Sequence, residues 1–372
     1  MRLLIYIGHP ADFHLFKNCA ALLLKKGWEV SILTRNKDLT LQLMEKSGFS
    51  YYNLGDAPRT LLGKLLGLVI LNIKVLKHLI KVRPDITFSH GSVHLSQMSW
   101  LLRIPHISVE DTGNMEQVVL YRPFSKVILT PDSFRKNLGK KQIRYPGNHE
   151  LAYLHPKQFT PDKEIVKSLN MKPGDPYVIV RFVAWTASHD AGHQGISMEN
   201  KIRAVNTFSK YAKVFISSEV PLPPALESHR LTTPVERIHD VIAFSSLMYG
   251  ESASMASEAA VLGVPAIYLD NTGRCYTREE EEKYGLVFNF SESKEDQERS
   301  IEKGTELLSI KGIHEEWQEK RRIMLKEKID VTAFLCWFLE TWPKSFHSMK
   351  TKDSKTWQNE TVPWISTTDS NN

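Results

Sequence analysis

The stretch GESASMASEAAVLGVPAIYLD, Gly250–Asp270, decides the fold that we predict for this chain. A short apolar strand, Leu247–Tyr249, leads into Glu251–Ser254, where small residues form a turn. The helical run Ala256–Leu262 follows and ends at Gly263, and a proline two residues later opens the next apolar strand. A strand, a small-residue turn, a helix and a second strand make the βαβ unit of a parallel sheet.

This turn has features of a phosphate-binding site. Small side chains let a phosphate approach the backbone, and the helix that follows offers unpaired N–H groups and a partial positive charge. Ser252 and Ser254 add hydroxyl donors beside Ala253. Glu258 lies one turn further on, where a carboxylate would accept hydrogen bonds from ribose hydroxyls. The alternative is a plain strand–helix unit in which the serines only cap the helix.

Apolar strands and helical stretches alternate through both halves of the chain. In the first half, Leu3–Ile7 and His106–Val109 are predicted strands, and Leu61–Val82 is a predicted helix. A second series of strands includes Tyr177–Val183 and Lys213–Ser217. The alternation predicts an α/β protein with two parallel sheets.

Domain boundaries follow from changes in composition. We interpret the polar, proline-bearing stretch 156–176 as a linker, and we expect domains over residues 1–160 and 161–345. Residues 346–372 lack an apolar period and are expected to form a disordered tail. The basic run Gly139–Arg144 is expected to be a solvated loop.

Charge is distributed unevenly along the 372 residues. Residues 1–145 carry 21 Lys and Arg against 10 Asp and Glu, whereas residues 146–372 carry 27 against 32. The basic first half suggests an anionic partner such as a nucleic acid, an anionic membrane or a phosphorylated acceptor. The three cysteines, Cys19, Cys275 and Cys336, are far apart in sequence and form no CxxC pair, so we expect neither a disulfide framework nor a cysteine zinc site.

No segment has the pattern of a membrane span. The apolar run near the N-terminus is about five residues long, shorter than the roughly 7–15 of a secretory signal. In the apolar stretch Leu61–Ile80, the longest piece without charge or histidine is Leu65–Ile73. We therefore expect a cytoplasmic protein that is at most peripheral on the inner face of the cell membrane.

The segment Arg59–Arg83 is the strongest candidate for a membrane contact. It contains no acid, and its cations include Lys74, Lys77 and Lys81, which share one face of a helix. That face would bind anionic headgroups beside a lipid-linked acceptor, and Arg59, Lys64 and Arg83 would add to its charge. The alternative is a buried helix with a solvated lysine face.

The order Ser252, small residues, Glu258, then GVP and DNTGR resembles the donor-site signature of non-hydrolysing UDP-N-acetylglucosamine 2-epimerases and related GT-B glycosyltransferases. In that superfamily the small-residue turn holds the pyrophosphate and the helix glutamate holds the ribose. The resemblance implies these roles for Ser252, Ala253, Ser254 and Glu258. It also implies substrate-side roles for Arg274 and Thr272, so all six residues are predicted to bind the donor.

Further motifs extend the resemblance to roughly residues 1–345. GHPADFH, SHGS, GNHELAYLHP, RFVAW and GESASMASEAAVLG together resemble one GT-B-like family long labelled a domain of unknown function. This resemblance implies a GT-B-like fold, with two Rossmann-type domains whose parallel sheets face a central cleft. It implies acceptor-side roles for His90, Asn148 and His149.

The chain departs from the epimerases where their chemistry is done. One epimerase carboxylate corresponds to Ser92, which cannot act as a base, whereas Glu110 matches the second acidic position. The histidine–arginine loop of the epimerases is replaced by RFVAWTASHDAGHQG. These differences favour sugar transfer, which needs one base and a stabilised leaving diphosphate.

Candidate catalytic residues follow strands at their carboxyl ends, where open α/β sheets bind ligands. Glu110 is our first choice of base, with Asp111 beside it, and His14 is a second candidate. His9 lies in the same loop as His14 and is a candidate acceptor contact. The alternatives are a surface acidic loop and histidines that cap or pack a helix.

Further donor contacts are predicted in the second half. Arg181, His189 and His193 flank a glycine-bearing loop that would hold a diphosphate, and Ser218 and Glu219 end a strand whose loop would contact the nucleotide. His189 and His193 have a metal-like spacing, but no third ligand emerges. Structural roles in caps and turns are the alternative for all five.

We therefore predict a glycosyltransferase that moves a sugar from a nucleotide sugar to a cell-envelope or polysaccharide acceptor. The alternatives are a nucleotide-sugar 2-epimerase or hydrolase, and a nucleic-acid or regulatory binding protein. The last lacks any zinc, helix-turn-helix or RNA-recognition signature, so no nucleic-acid partner is expected. No cofactor and no metal are expected, because the nucleotide sugar is itself the substrate.

Overall fold

The structure, a computed structural model, describes residues 1–37, 39–56, 61–183, 193–218 and 221–351, and of residues 61–66 it describes only the backbone. The chain divides into two compact units. The first comprises Met1–Gln158 and the described residues from Ile329 onward, and the second comprises Phe159–Lys328.

The first unit is built on a seven-stranded sheet. Its strands are β1 (Arg2–Ile7), β2 (Glu29–Asn36), β3 (Tyr51–Asp56), β4 (Ile86–His90), β5 (His106–Val109), β6 (Val127–Pro131) and β7 (Gln142–Tyr145). They pair in parallel in the order β3-β2-β1-β4-β5-β6-β7. Leu3, Leu4 and Ile5 are fully buried, as expected for an inner strand with both faces covered.

Six helices accompany these strands along the chain: α1 (Pro10–Lys25), α2 (Thr40–Ser47), α3 (Leu61–Val82), α4 (Val93–Leu101), α5 (Met115–Tyr121) and α6 (Leu151–Leu154). Pro10 and the side chain of His9, which accepts a hydrogen bond from the Ala11 N–H, mark the start of α1. The side chain of Ser92 caps α4 in the same way.

The second unit has a five-stranded parallel sheet. Its strands are β8 (Tyr177–Phe182), β9 (Lys213–Ser218), β10 (Leu247–Gly250), β11 (Ala266–Leu269) and β12 (Val287–Phe290), in the order β12-β11-β10-β8-β9. Its helices are α7 (Ile165–Ser168), α8 (Met198–Phe208), α9 (Ile238–Ala243), α10 (Ala253–Leu262), α11 (Cys275–Glu282), α12 (Lys294–Ser309) and α13 (Ile313–Glu327). The α/β class and the two parallel sheets predicted from sequence are confirmed.

After Lys328 the chain returns to the first unit. The sequence analysis instead expected the second domain to continue to residue 345. Helices α14 (Val331–Glu340) and α15 (Lys344–Thr351) follow, and α14 packs against α1 and α6. The reason is hydrophobic: Phe334, Leu335 and Phe338 are almost completely buried there. Residues 346–351, expected to belong to a disordered tail, are part of the helix Lys344–Thr351, and residues 352–372 lie outside the described part.

Two local expectations need correction. The basic run at 139–144 is not a solvated loop throughout, because it continues into β7, where Ile143 and Tyr145 are buried and Arg144 points outward. The expected linker at 156–176 contains α7, and Ile165 and Val166 are buried in the second unit.

Among the helices of the described residues, none is both long enough and apolar enough to cross a membrane.

Candidate functional site

Polar side chains of the first unit gather at the carboxyl ends of its strands. Asp12 lies in the first turn of α1 after β1, His90 ends β4, Asp111 follows β5, and His149 follows β7. Because parallel strands end at the same edge of a sheet, residues from four separate parts of the chain meet there. All four side chains are buried or largely buried.

These side chains form an alternating chain of carboxylates and imidazoles. His90 Nδ1 lies 3.0 Å from Asp12 Oδ1, and His90 Nε2 makes an ion-pair contact of 3.2 Å with Asp111 Oδ1. Asp111 Oδ2 lies 2.9 Å from His149 Nδ1. The backbone N–H of Gly8 donates to Asp12 Oδ2 at 2.9 Å, which anchors the first member. We call Asp12, His90, Asp111 and His149 the His–Asp chain.

Electrostatics in the His–Asp chain favour charge separation. Burial opposes a charge on His90, yet the carboxylates of Asp111 and Asp12 outweigh it and raise the pKa of His90 well above its usual value. Burial alone would raise the pKa of Asp111, but the rings of His149 and His90 hold that pKa well below its ordinary range. The carboxylates thus favour the charged form of His90, and the rings of His149 and His90 favour the ionised form of Asp111.

The far end of the His–Asp chain carries an unsatisfied nitrogen. His149 Nε2 is buried, and no hydrogen-bond partner for it lies among the described residues. The hydroxyl of Tyr145 is likewise buried without such a partner, and burial, then Asp111 and Glu150, raise the pKa of Tyr145 well above its usual value. Buried polar atoms without partners are rare in folded proteins, so these two atoms are candidates for hydrogen bonds to a ligand.

Glu110, the predicted base, is held by its own loop. The Thr112 hydroxyl and the Gly113 N–H donate to Oε1 at 2.6 and 3.0 Å, and the Tyr121 hydroxyl donates to Oε2 at 2.6 Å. Both oxygens thus already accept hydrogen bonds. Gly91, with a left-handed φ of 58°, lets the chain turn beside this carboxylate.

The other predicted residues of the first unit, His9, His14 and Asn148, lie in the segments that follow β1 and β7. The His14 ring lies beside the rings of Phe13 and Tyr153, with centroid distances of 5.4 and 5.3 Å. His9 caps α1, and Asn148 is buried in the turn before His149. His9 and Asn148 thus lie at the carboxyl ends of the strands of the first sheet. Their predicted acceptor contacts remain predictions.

In the second unit, the turn after β10 begins at a glycine that cannot be replaced without strain. Gly250 has a φ of 150°, and a Cβ there would collide with the carbonyl oxygen of Arg181 on β8. Ser252 caps α10 by accepting a hydrogen bond from Met255 N–H at 3.3 Å. Ala253 and Ser254 form the half-buried first residues of the helix, as the small-residue turn predicts.

Glu258 lies on α10 with 7% of its surface exposed. Its Oε1 lies 3.1 Å from Nε2 of His239 on α9. The contact orients the carboxylate from one side. That Glu258 binds the ribose remains a prediction.

Glu251 is a residue to which the sequence analysis assigned no role. It is 3% exposed, and its oxygens accept hydrogen bonds from the backbone N–H groups of Val183 at 2.8 Å and Ile196 at 2.6 Å. Lys201 lies 3.3 Å from the same carboxylate. Glu251 thus fixes both flanks of the loop that contains His189, which lies outside the described residues. The acid inside the small-residue turn was the available signal.

The loops after β11 and β12 are held by carboxylates. The Thr272 hydroxyl and the Gly273 N–H donate to Asp270 Oδ1 at 2.7 and 3.0 Å, and Arg274 Nη1 donates to the Thr272 hydroxyl oxygen at 3.1 Å. His193 forms an ion pair with Glu292. Arg274 is therefore oriented by its own loop.

The remaining donor-side predictions end two neighbouring strands. Arg181 on β8 donates from Nη1 to the hydroxyl of Ser217 on β9 at 2.8 Å, and Ser218 follows at the end of β9. Glu219 lies outside the described residues. Arg181 and Ser218 thus share the strand edge that carries the turn after β10.

Among the described residues, two groups of side chains place ligand-type atoms within 4.8 Å of one another: His90, Asp111 and His149, and His193, Asp270 and Glu292. In the second group Asp270 accepts hydrogen bonds from its own loop, and Glu292 accepts them from the backbone N–H groups of Gln194 and Gly195. In the first group the Asp111 carboxylate lies 3.2 Å from His90 Nε2 and 2.9 Å from His149 Nδ1.

Comparisons with solved structures show which fold the chain shares. MnaA from S. aureus, solved with UDP, is 11% identical with a TM-score of 0.67, over 95% of this chain and 98% of that chain. The UDP-GlcNAc 2-epimerase of Methanocaldococcus jannaschii, in complex with UDP-GlcNAc and UDP, is 16% identical with a TM-score of 0.61, over 88% and 100%. The spinosyn rhamnosyltransferase SpnG is 14% identical with a TM-score of 0.60, over 92% and 100%.

These likenesses establish the GT-B-like fold of two Rossmann-type α/β units. Among curated proteins, none matches the chain in sequence. A family match covers residues 1–280, from β1 into α11, and includes every member of the His–Asp chain and the turn after β10. The chain belongs to the family described as Protein of unknown function (DUF354).

Proposed function

We propose that this protein is a glycosyltransferase that moves a sugar from a UDP-type nucleotide sugar to an acceptor of cell-envelope polysaccharide assembly. Solved proteins of the same fold bind UDP or UDP-GlcNAc. The turn after β10 provides what a diphosphate needs, namely small side chains, a helix N-terminus and the hydroxyl of Ser254.

The observation that favours transfer over epimerisation is the buried Nε2 of His149. In transfer, an acceptor hydroxyl attacks the anomeric carbon of the sugar, its proton passes to one base, and the nucleoside diphosphate leaves. His149 is suited to this step, because the Asp111 carboxylate at Nδ1 stabilises the imidazolium that forms. Epimerisation needs further acid–base carboxylates, but Ser92 occupies one such position and both oxygens of Glu110 accept hydrogen bonds.

Asp12 and His90 act as positioning residues in this proposal. They hold Asp111 ionised and in place, so that its second oxygen faces His149. In the second unit, Ser252, Ser254 and Arg274 are proposed to hold the leaving diphosphate, and Glu258 the ribose. Metal is not required, since the helix N-terminus and Arg274 supply the positive charge that the leaving group needs.

The test is incubation with labelled nucleotide sugars, with and without membrane extract as the acceptor source. Acceptor-dependent release of the nucleoside diphosphate, unaffected by EDTA, is expected. Conversion of the sugar without acceptor would instead identify an epimerase or hydrolase. Activity that EDTA abolishes and manganese restores would overturn the metal-free proposal.

His149→Gln tests the catalytic assignment. We expect kcat to fall by roughly 10²–10⁴, the range for loss of a general base, with little change in donor KM. Glu110→Gln is the matched control, because it removes a neighbouring carboxylate that we assign to loop structure. Glu110→Gln should lower the melting temperature and leave kcat nearly unchanged. The reverse pattern would return the base to Glu110.

A further inference from the structure

The outer side of α3, α4 and α5 exposes large apolar side chains. Helix α4 packs against α3 and against α5, so the three form one layer of the first unit. Ile80 on α3 is 52% exposed, Trp100 and Leu101 on α4 are 58% and 55% exposed, and Val119 and Leu120 on α5 are 54% and 53% exposed. We call these five residues the α3–α5 apolar face.

The five residues lie near the C-terminal ends of their helices. Val82, Met98 and Leu102 pack against one core cluster, so the ends of α3 and α4 meet. The indole of Trp100 lies edge-on to the ring of Phe124, in the turn after α5, with centroids 5.5 Å apart. The ends of α3, α4 and α5 that carry the α3–α5 apolar face therefore lie next to one another.

Cations surround the α3–α5 apolar face. The exposed basic residues in and after these helices are Lys74, Lys77, Lys81, Arg83, Arg103, Arg122 and Lys126. Over the same residues, 67–126, the exposed acids are Asp85, which pairs with Arg2, and Glu116. Burial, then Lys126 and Arg122, lower the pKa of Lys141, which shows that positive charge accumulates at this end of the unit.

We propose that the α3–α5 apolar face docks on an anionic lipid bilayer. The apolar side chains, Trp100 among them, enter the headgroup region, and the surrounding lysines and arginines contact lipid phosphates. A second copy of the chain fits less well, because it would bring two basic rims together. The surface extends the α3 lysines expected from sequence, of which Lys74 also donates to the Leu54 carbonyl at 2.8 Å.

The docking proposal is separate from the catalytic one and is tested without turnover. The full chain is sedimented with vesicles of phosphatidylglycerol and phosphatidylcholine, and with vesicles of phosphatidylcholine alone, at low and high salt. Binding to the anionic vesicles at low salt and release at high salt are expected. Leu101→Ser combined with Leu120→Ser should reduce the bound fraction about tenfold.

Ile323→Ser is the matched control, because Ile323 on α13 of the second unit is 47% exposed but lies in a different unit. It should bind as the wild type does. Brominated phosphatidylglycerol adds a positional readout: it should quench the fluorescence of the wild type more than that of Trp100→Phe. Equal binding by the double variant, equal binding to neutral vesicles, or a lipid-free dimer that the double variant disrupts would each overturn the proposal.

Discussion

At the scale of single residues, Glu258 poses the sharpest question about nucleotide binding. Its carboxylate is nearly buried and contacts His239 at 3.1 Å. Glu258→Ala should weaken binding of UDP by about 1.5–3 kcal/mol, the range for a hydrogen bond to a charged group. Calorimetric titration with UDP measures this change directly.

His239→Ala is the control for this variant. It removes the partner but leaves the carboxylate for the ribose, so UDP affinity should fall much less. Equal losses in both variants would mean that Glu258 serves the α9–α10 contact alone.

A second residue-scale effect concerns buried histidines and pH. Burial lowers the pKa of His106 to about 3, and burial with Arg35 lowers that of His94 to about 4. An unfolded histidine titrates near 6.5, so below that pH the unfolded chain binds protons that the folded chain cannot. Stability therefore falls as pH falls. The raised pKa of His90 has the opposite sign, since its contribution is fully present below pH 6.5.

From pH 6.5 to 5, His106 alone should lower the free energy of unfolding by about 2 kcal/mol. The lowered pKa of Asp111 does not affect this window, because its contribution is lost only below the ordinary pKa of an aspartate. Urea unfolding of the wild type and of His106→Gln at both pH values provides the measurement. A wild-type stability that does not change, or a variant with the same slope, would contradict the assignment.

At the scale of elements, the junction of β10 and α10 depends on one backbone position. Gly250→Ala should destabilise the second unit by about 3 kcal/mol or more, because the new Cβ meets the Arg181 carbonyl of the paired strand β8. Gly174→Ala is the control: its φ is 93°, but nothing lies within 4 Å of the added Cβ, so a cost of about 1 kcal/mol is expected. Thermal unfolding of both variants compares the two costs.

Elements with a clear apolar period were predictable from sequence, and partly polar ones were not. The helix over Leu61–Val82 and the strand over His106–Val109 were predicted with the bounds that the structure has. Strand β7 was missed because Arg144 and the preceding lysines hide the alternation of buried residues. Edge strand β3 was missed because most of its residues are polar or partly exposed.

The candidate sites show the same limit. The turn around Ser252 is continuous in sequence, so its chemistry could be predicted. The His–Asp chain joins residues as far apart as Asp12 and His149, and their pairing depends on which strands are neighbours. His90, Asp111 and His149 were singled out one by one, but Asp12 was overlooked inside a quoted motif because its partner comes from β4.

At the scale of the whole molecule, the chain leaves the first unit at Gln158 and re-enters it at Ile329. Phe338→Ala should therefore destabilise the first unit by about 3–5 kcal/mol, as expected for a fully buried phenylalanine. UDP binding, which we assign to the second unit, should be preserved under native conditions. Hydrogen exchange resolved by unit would show the effect. Greater exchange in the second unit would mean that α14 belongs there, as the sequence had suggested.

The return of α14 to the first unit also has a consequence for biosynthesis. The ribosome makes β1 to β7 first, but the faces of α1 and α6 that α14 covers have no partner until the 170 residues of Phe159–Lys328 have been added. At typical elongation rates this takes roughly 10–35 s. During that interval the nascent first unit exposes the apolar surface that α14 later covers. The second unit is continuous in sequence and can fold as soon as it emerges. The second unit can therefore complete its fold before the first unit, although its synthesis begins later.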